Sequence, residues 1–145
     1  MQSKPDLESS ISPDLRILSV DDQPKSLEQM CTLLRRLGLK CRSYLDPVTA
    51  LADALMEPSD VLITGLAMPG IDGRELIQRL RKRSPHTRVI AVTDMLATGA
   101  GLDQDGEPAT ADFLLAKPVQ PLALLAALYT SIESTGSARL PGWAG

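Results

Sequence analysis

Asp60-Val61-Leu62-Ile63-Thr64-Gly65-Leu66-Ala67-Met68-Pro69-Gly70-Ile71-Asp72-Gly73 is the stretch that decides how this chain folds. Val61 to Thr64 are all apolar or β-branched, the pattern of a strand covered by helices on both sheet faces. Gly65 follows at its carboxyl end, and Pro69-Gly70 marks a tight turn. Asp72 is placed to cap a helix running to about Arg83, which Ser84-Pro85 stops.

The same alternation continues outward in both directions. On the amino-terminal side, Arg16 to Val20 is a short apolar strand ending at Asp21-Asp22. From Pro24 to Leu37, apolar Leu27, Met30, Cys31, Leu34 and Leu37 recur at helical spacing, with Pro24 in the first turn and Gly38 past the end. Leu39 to Leu45 forms a second strand, and Asp46-Pro47 opens a helix through about Met56. On the carboxyl-terminal side, Arg88 to Thr93 and Asp112 to Ala116 are the fourth and fifth strands, and Pro121 starts a last helix through Ile132. Strand and helix alternate with short links, which predicts an α/β fold built on a parallel sheet with right-handed crossovers. The link between Asp94 and Asp112 breaks the pattern. Its glycines each cost a helix roughly 1 kcal/mol and an interior proline about 3, so an irregular or shortened fourth helix is expected there.

Composition bounds the function. The 145 residues are 43% hydrophobic, enough for one domain with a real core. No apolar run approaches the roughly 18 residues of a membrane span, and no signal-peptide core is visible, so a cytoplasmic protein is expected. The net charge is −3, and the one basic cluster, Arg79, Arg81, Lys82 and Arg83, falls in the last turn of a helix, where cations suit the dipole. Neither a nucleic-acid surface nor a membrane surface is indicated. Cys31 and Cys41 read as small apolar groups within a helix and a strand rather than as a disulfide. His86, beside Ser84-Pro85, reads as an exposed turn residue. Residues 1–13 read as a mobile arm, 14–133 as the folded domain and 134–145, including Trp143, as a tail or linker.

In a parallel sheet, functional groups gather at the carboxyl ends of the strands. Those ends carry Asp21, Asp22, Gly65, Thr93 and Lys117-Pro118. With the Met68-Pro69 turn, these residues resemble, over roughly residues 14–133, a bacterial response-regulator receiver domain. The resemblance implies a flavodoxin-like (CheY-like), doubly wound five-stranded sheet of order 2-1-3-4-5. It implies that Asp21 and Asp22 correspond to magnesium-binding carboxylates, Thr93 to the hydroxyl that contacts a phosphoryl group, and Lys117 to the pocket lysine, joined to Pro118 by a cis bond. It also implies that the residue three before Met68 accepts the phosphoryl group. That residue is Gly65, which has no side chain to phosphorylate.

The departures point away from the usual chemistry. Phosphoryl transfer to protein needs a nucleophilic carboxylate and a cation to neutralise developing charge. Gly65 supplies neither nucleophile nor metal ligand, so Mg2+ binding at Asp21 and Asp22 is expected to be weak or absent. Lys117, deprived of its usual partner, is expected to pair with Asp21, Asp22 or Asp94, with Asp94 the singled-out candidate because it directly follows Thr93. The position three before the lysine, aromatic in the resembling family, is Leu114, while Phe113 falls on the opposite sheet face. The expected function is an atypical receiver of a two-component or phosphorelay system, not an enzyme. It acts as an interaction or dimerisation module toward a histidine kinase, an effector or a second receiver. The Leu122, Leu125, Ala126, Leu128 and Tyr129 stripe of the last helix reads mainly as core, and a homodimer through its excess apolar width is a further expectation. The alternatives are phosphorylation on a displaced carboxylate, Asp94 or Asp22, and a small-ligand sensor. The sensor lacks support, because Gly99, Gly101 and Gly106 do not have the GxGxxG spacing.

Overall fold

The computed structural model describes residues 11, 13–68, 70–94 and 111–135, with side chains to 132. The expected irregular helix between Asp94 and Asp112 and the tail with Trp143 lie outside the described residues, as does most of the N-terminal arm.

Five strands and four helices follow one another in the described residues. They are β1 (Ile17–Val20), α1 (Pro24–Arg36), β2 (Cys41–Tyr44), α2 (Pro47–Met56), β3 (Val61–Gly65), α3 (Gly73–Arg83), β4 (Arg88–Thr93), β5 (Phe113–Ala116) and α4 (Pro121–Thr135). All strand pairs are parallel and the sheet order is β2-β1-β3-β4-β5. The chain therefore winds from β1 outward to one edge and returns to build the other.

Alternation along the strands splits the core in two. On one face Ile17, Val61, Ile63, Ile90 and Val92 pack with Met30 and Leu34 of α1 and Leu124, Leu125, Leu128 and Ile132 of α4. On the other, Leu18, Val20, Leu62, Val89 and Ala91 pack with Ala50 and Leu51 of α2 and Leu76, Ile77 and Leu80 of α3. Each large aliphatic side chain so buried contributes roughly 1.5–3 kcal/mol, offset by lost chain entropy.

Local chemistry sets the ends of the elements. The Leu39 N–H donates to Leu34 O and the Gly38 N–H to Arg35 O, both at 2.9 Å, with Gly38 at φ +79°. This pair of bonds closes α1 in a Schellman motif, and Leu34 and Leu39 share one apolar cluster beneath it. Leu39 is thereby taken by the helix end, which is why β2 starts at Cys41 and not at Leu39. Likewise Asp112 stays outside β5: its carboxylate accepts the Val89 N–H at 2.8 Å and pairs with Arg81 at 3.0 Å and Arg88 at 3.4 Å. The N-caps at Asp46 and Asp72 both form, accepting from Thr49 N and Glu75 N.

Three expectations need correction. Ile11, assigned to the mobile arm, is only 5% exposed and belongs to the α1/α4 cluster. The last helix extends to Thr135 rather than Ile132. Its apolar stripe is also offset: Leu124, Ala127 and Ile132 join Leu125 and Leu128 in the core, whereas Leu122 is 77% exposed and Ala126 faces outward. With apolar residues on nearly every side of this helix, sequence spacing did not fix its rotation; the packing against Ile90 and Val92 does.

Candidate functional site: the carboxyl edge of the sheet

Right-handed crossovers bring the carboxyl ends of β1, β3, β4 and β5 to one edge of the sheet. Gly65 is the last residue of β3, paired with Val92, while its neighbour Thr64 pairs with Val20 immediately before Asp21. Gly65 is buried, and a Cβ built there would sit 3.5 Å from the Asp21 carboxyl carbon, an ordinary contact. The position thus has space for a side chain, and Asp21 is what that side chain would meet.

The start of α3 is held against the same point. The Gly73 N–H donates to Leu66 O at 2.8 Å, and a Cβ on Gly73 would come within 2.2 Å of Gly65 O. Only glycine fits this approach of two backbones.

Lys117 follows β5 and reaches across the edge. Its Nζ lies 2.8 Å from Asp21 Oδ2 and donates to Gln23 Oε1 at 3.2 Å. The other carboxylate oxygen, Oδ1, accepts the Gln23 N–H at 2.9 Å. Both charged side chains are largely shielded, at 16% exposure for Lys117 and 10% for Asp21. The pair is therefore screened by salt far less than a surface pair, and breaking it leaves a poorly solvated charge. The Lys117 N–H donates to Thr93 O at 2.9 Å, which ties the lysine backbone to the end of β4; the Lys117-Pro118 peptide is cis.

Beside the ion pair lies a cavity of about 40 Å³ on the α1 side of the sheet. Its polar lining includes Ser19, Asp21, Thr64 and Lys117, with Met30 and Leu33 of α1 among the apolar walls. That volume holds a few water-sized groups.

Sequence reasoning placed Asp21, Gly65, Lys117 and Pro118 together, and the structure does so. Thr93 is buried at the end of β4 but lies outside the cavity lining, on the α2/α3 side of the sheet. Asp22 is half-buried and Asp94 is exposed, and neither lines the cavity. The singled-out Asp94–Lys117 pair is not formed: among the described residues the carboxylate facing the ammonium is Asp21. The reason is geometric. Asp21 leaves β1, beside β3, with its carboxylate already turned inward by the Gln23 N–H, whereas Asp94 has turned out to solvent. Leu114 packs in the α2/α3 cluster and Phe113 in the α1/α4 cluster, on opposite faces as their adjacency requires. Gln23 was missed; the Asp21-Asp22-Gln23-Pro24 order places it at the mouth of α1, where its side chain accepts from both Lys117 and Ser26.

A hard cation such as Mg2+ asks for near-octahedral oxygen ligation. Oδ1 of Asp21 is taken by an N–H, Oδ2 faces an ammonium, and Gly65 adds no side-chain oxygen. The described residues contain no group of three or more Asp, Glu, His or Cys arranged to hold a metal ion. With these contacts in place the donor set does not fit Mg2+. None of the described helices is long and apolar enough to cross a membrane.

Known proteins resemble this chain in sequence and fold. The family model described as response regulator receiver domain matches residues 17–129. The chain is 30% identical over 119 residues to regulatory protein VanRc of Enterococcus gallinarum, covering 81% of this chain and 50% of that protein. It is 34% identical over 84 residues to sensor histidine kinase RcsC of Escherichia coli K12, covering 58% of this chain and 9% of the kinase. The chain thus spans half or less of these relatives. Among solved structures, the signal receiver domain of an HD domain-containing protein from Pseudomonas fluorescens Pf-5 superposes with a TM-score of 0.71 at 25% identity, covering 83% of this chain and 96% of that one. Five parallel strands in the order 2-1-3-4-5, the acidic and basic groups at their carboxyl edge and the match over most of the sequence agree: the chain belongs to the response regulator receiver domain family.

Proposed function

We propose that this receiver domain works without phosphorylation at its usual position, as a protein-interaction module whose signalling surface does not wait for a covalent event. One observation carries the reading: Lys117 is already neutralised by Asp21 beside a residue, Gly65, that has no side chain. A receiver that awaits a phosphoryl group needs a carboxylate at that spot and a cation beside it. Here the pocket is electrically closed on itself, and the domain has no catalytic role and no resident Mg2+.

The partners this implies are those of a two-component relay: a histidine kinase, an effector or a second receiver. Likeness to part of a sensor histidine kinase and to a regulatory protein supports that class of partner. Self-association is assigned to the outward face of α4, where Leu122, Ala126 and Tyr129 are spaced on one side of the helix. Transfer to Asp94 or Asp22 is not favoured, because neither lines the cavity beside Lys117.

Mg2+ and beryllofluoride titrations on the natural chain and on Gly65→Asp test the reading. The added carboxylate fits by contact distance, so the variant is expected to bind both ligands and the natural chain neither. Saturable beryllofluoride binding to the natural chain would overturn it.

A further inference from the structure

The two cysteines leave a chemical resource that the receiver chemistry does not use. Cys31 lies in α1 and Cys41 opens β2, and the Schellman turn between them folds the chain back so that their sulfurs face each other. Both are free thiols, and the Sγ atoms are 3.4 Å apart. A disulfide needs about 2.05 Å, so modest side-chain rotation separates this contact from a bond. Both residues are only partly buried, which leaves a small oxidant a route to them. The link would join α1, whose Met30 and Leu33 wall the cavity, to the edge strand β2.

We infer that Cys31 and Cys41 form a reversible dithiol/disulfide site whose oxidant is a hydroperoxide. The inference stands independently of how the pocket at Gly65 works. Burial, followed by the contact with Cys31, pushes the Cys41 thiol up to about 12. Cys41 therefore stays protonated near neutrality, and the first attack falls to Cys31, since the thiolate is the nucleophile. The Cys31 thiolate attacks one peroxide oxygen, forming the S–O bond of a sulfenic acid as the O–O bond breaks, and the other oxygen leaves as hydroxide that takes up the thiol proton to form water. The Cys41 sulfur then attacks the Cys31 sulfur, its proton departs with the sulfenic hydroxyl as a second water, and the S–S bond forms. Two thiols lose two electrons and two protons, and one hydrogen peroxide becomes two waters. A dithiol reductant reverses the step by exchange.

The test uses the natural chain with stoichiometric hydrogen peroxide, followed by thiol alkylation, peptide mass mapping and thermal unfolding. Before oxidation two thiols alkylate. Afterwards none should, the intact mass should fall by two hydrogens, and a peptide joining Cys31 to Cys41 should appear. The unfolding midpoint should rise by several degrees and return with dithiothreitol, because the cross-link restricts the unfolded chain. Cys41→Ser should stop at a sulfenic acid trapped by a 1,3-diketone probe, while Cys31→Ser should resist the same dose. Intermolecular dimers, sulfinic acid without an internal link, or two thiols still open to alkylation would each overturn the inference.

Discussion

Gly65 has no side chain, and Asp21, the side chain nearest to it, pairs with Lys117. Asp21 and Lys117 face each other across the place where a third charged group would enter, and the first prediction concerns that pair. Lys117→Met should destabilise the fold by about 1–3 kcal/mol, because it strands a shielded carboxylate. Combined with Asp21→Asn, the loss should be smaller than the sum of the two single changes, with a coupling of about 0.5–3 kcal/mol in a double-mutant cycle by chemical denaturation. Additive losses would show the pair to be unimportant. The two glycines at this edge should respond oppositely. Gly65→Ala should gain about 0.5–1 kcal/mol, since alanine loses less chain entropy in a strand and its Cβ meets only ordinary contacts. Gly73→Ala should lose about 1–3 kcal/mol, because its Cβ is driven into the Gly65 carbonyl. Equilibrium urea curves of both variants check the signs.

The elements were legible wherever local chemistry decides them. Asp46-Pro47 and Asp72-Gly73 announce helix starts, and both carboxylates do cap. The run Val61 to Thr64 announces a doubly covered strand, and the strand continues one residue further because Gly65 still pairs with Val92. Tertiary contacts decided the remainder. Leu39 is apolar and strand-like, yet it closes a helix; Asp112 looks like a strand residue, yet it gathers two arginines and a backbone N–H. Nothing in the spacing could reveal that Gln23 would share Lys117 with Asp21. A pH prediction belongs at this scale. Hydrogen bonds from Thr49, first from its hydroxyl, hold the Asp46 carboxyl below the ordinary carboxylate value. Its folded value is depressed, so the contribution is complete above the unfolded value of about 3.9 and is lost as pH falls through the folded one. Asp46→Asn, which keeps an acceptor but does not titrate, should flatten the acid limb of the melting curve. An unchanged limb would remove Asp46 as a source of that dependence.

Across the whole molecule, strand–helix alternation predicted a parallel sheet covered on both faces, while its order was implied by the resemblance to receiver domains and is the order observed. The rotation of α4 could not be read from the sequence, since leucine and alanine surround it. That rotation decides which surface is offered to partners: Leu122 and Ala126 face out, and Leu124 and Ala127 face in. Leu122→Glu should leave stability within about 0.5 kcal/mol, as expected of an exposed position, while weakening self-association in sedimentation velocity. Unaltered self-association would place the contact elsewhere. The central claim is that the sheet edge cannot take a covalent phosphoryl group while Gly65 is bare. Intact mass spectrometry of the natural chain and of Gly65→Asp, after acetyl phosphate with Mg2+, tests it most directly. One added phosphoryl group is expected on the variant and none on the natural chain; a hydroxylamine-labile phosphoryl adduct on the natural chain would overturn the claim.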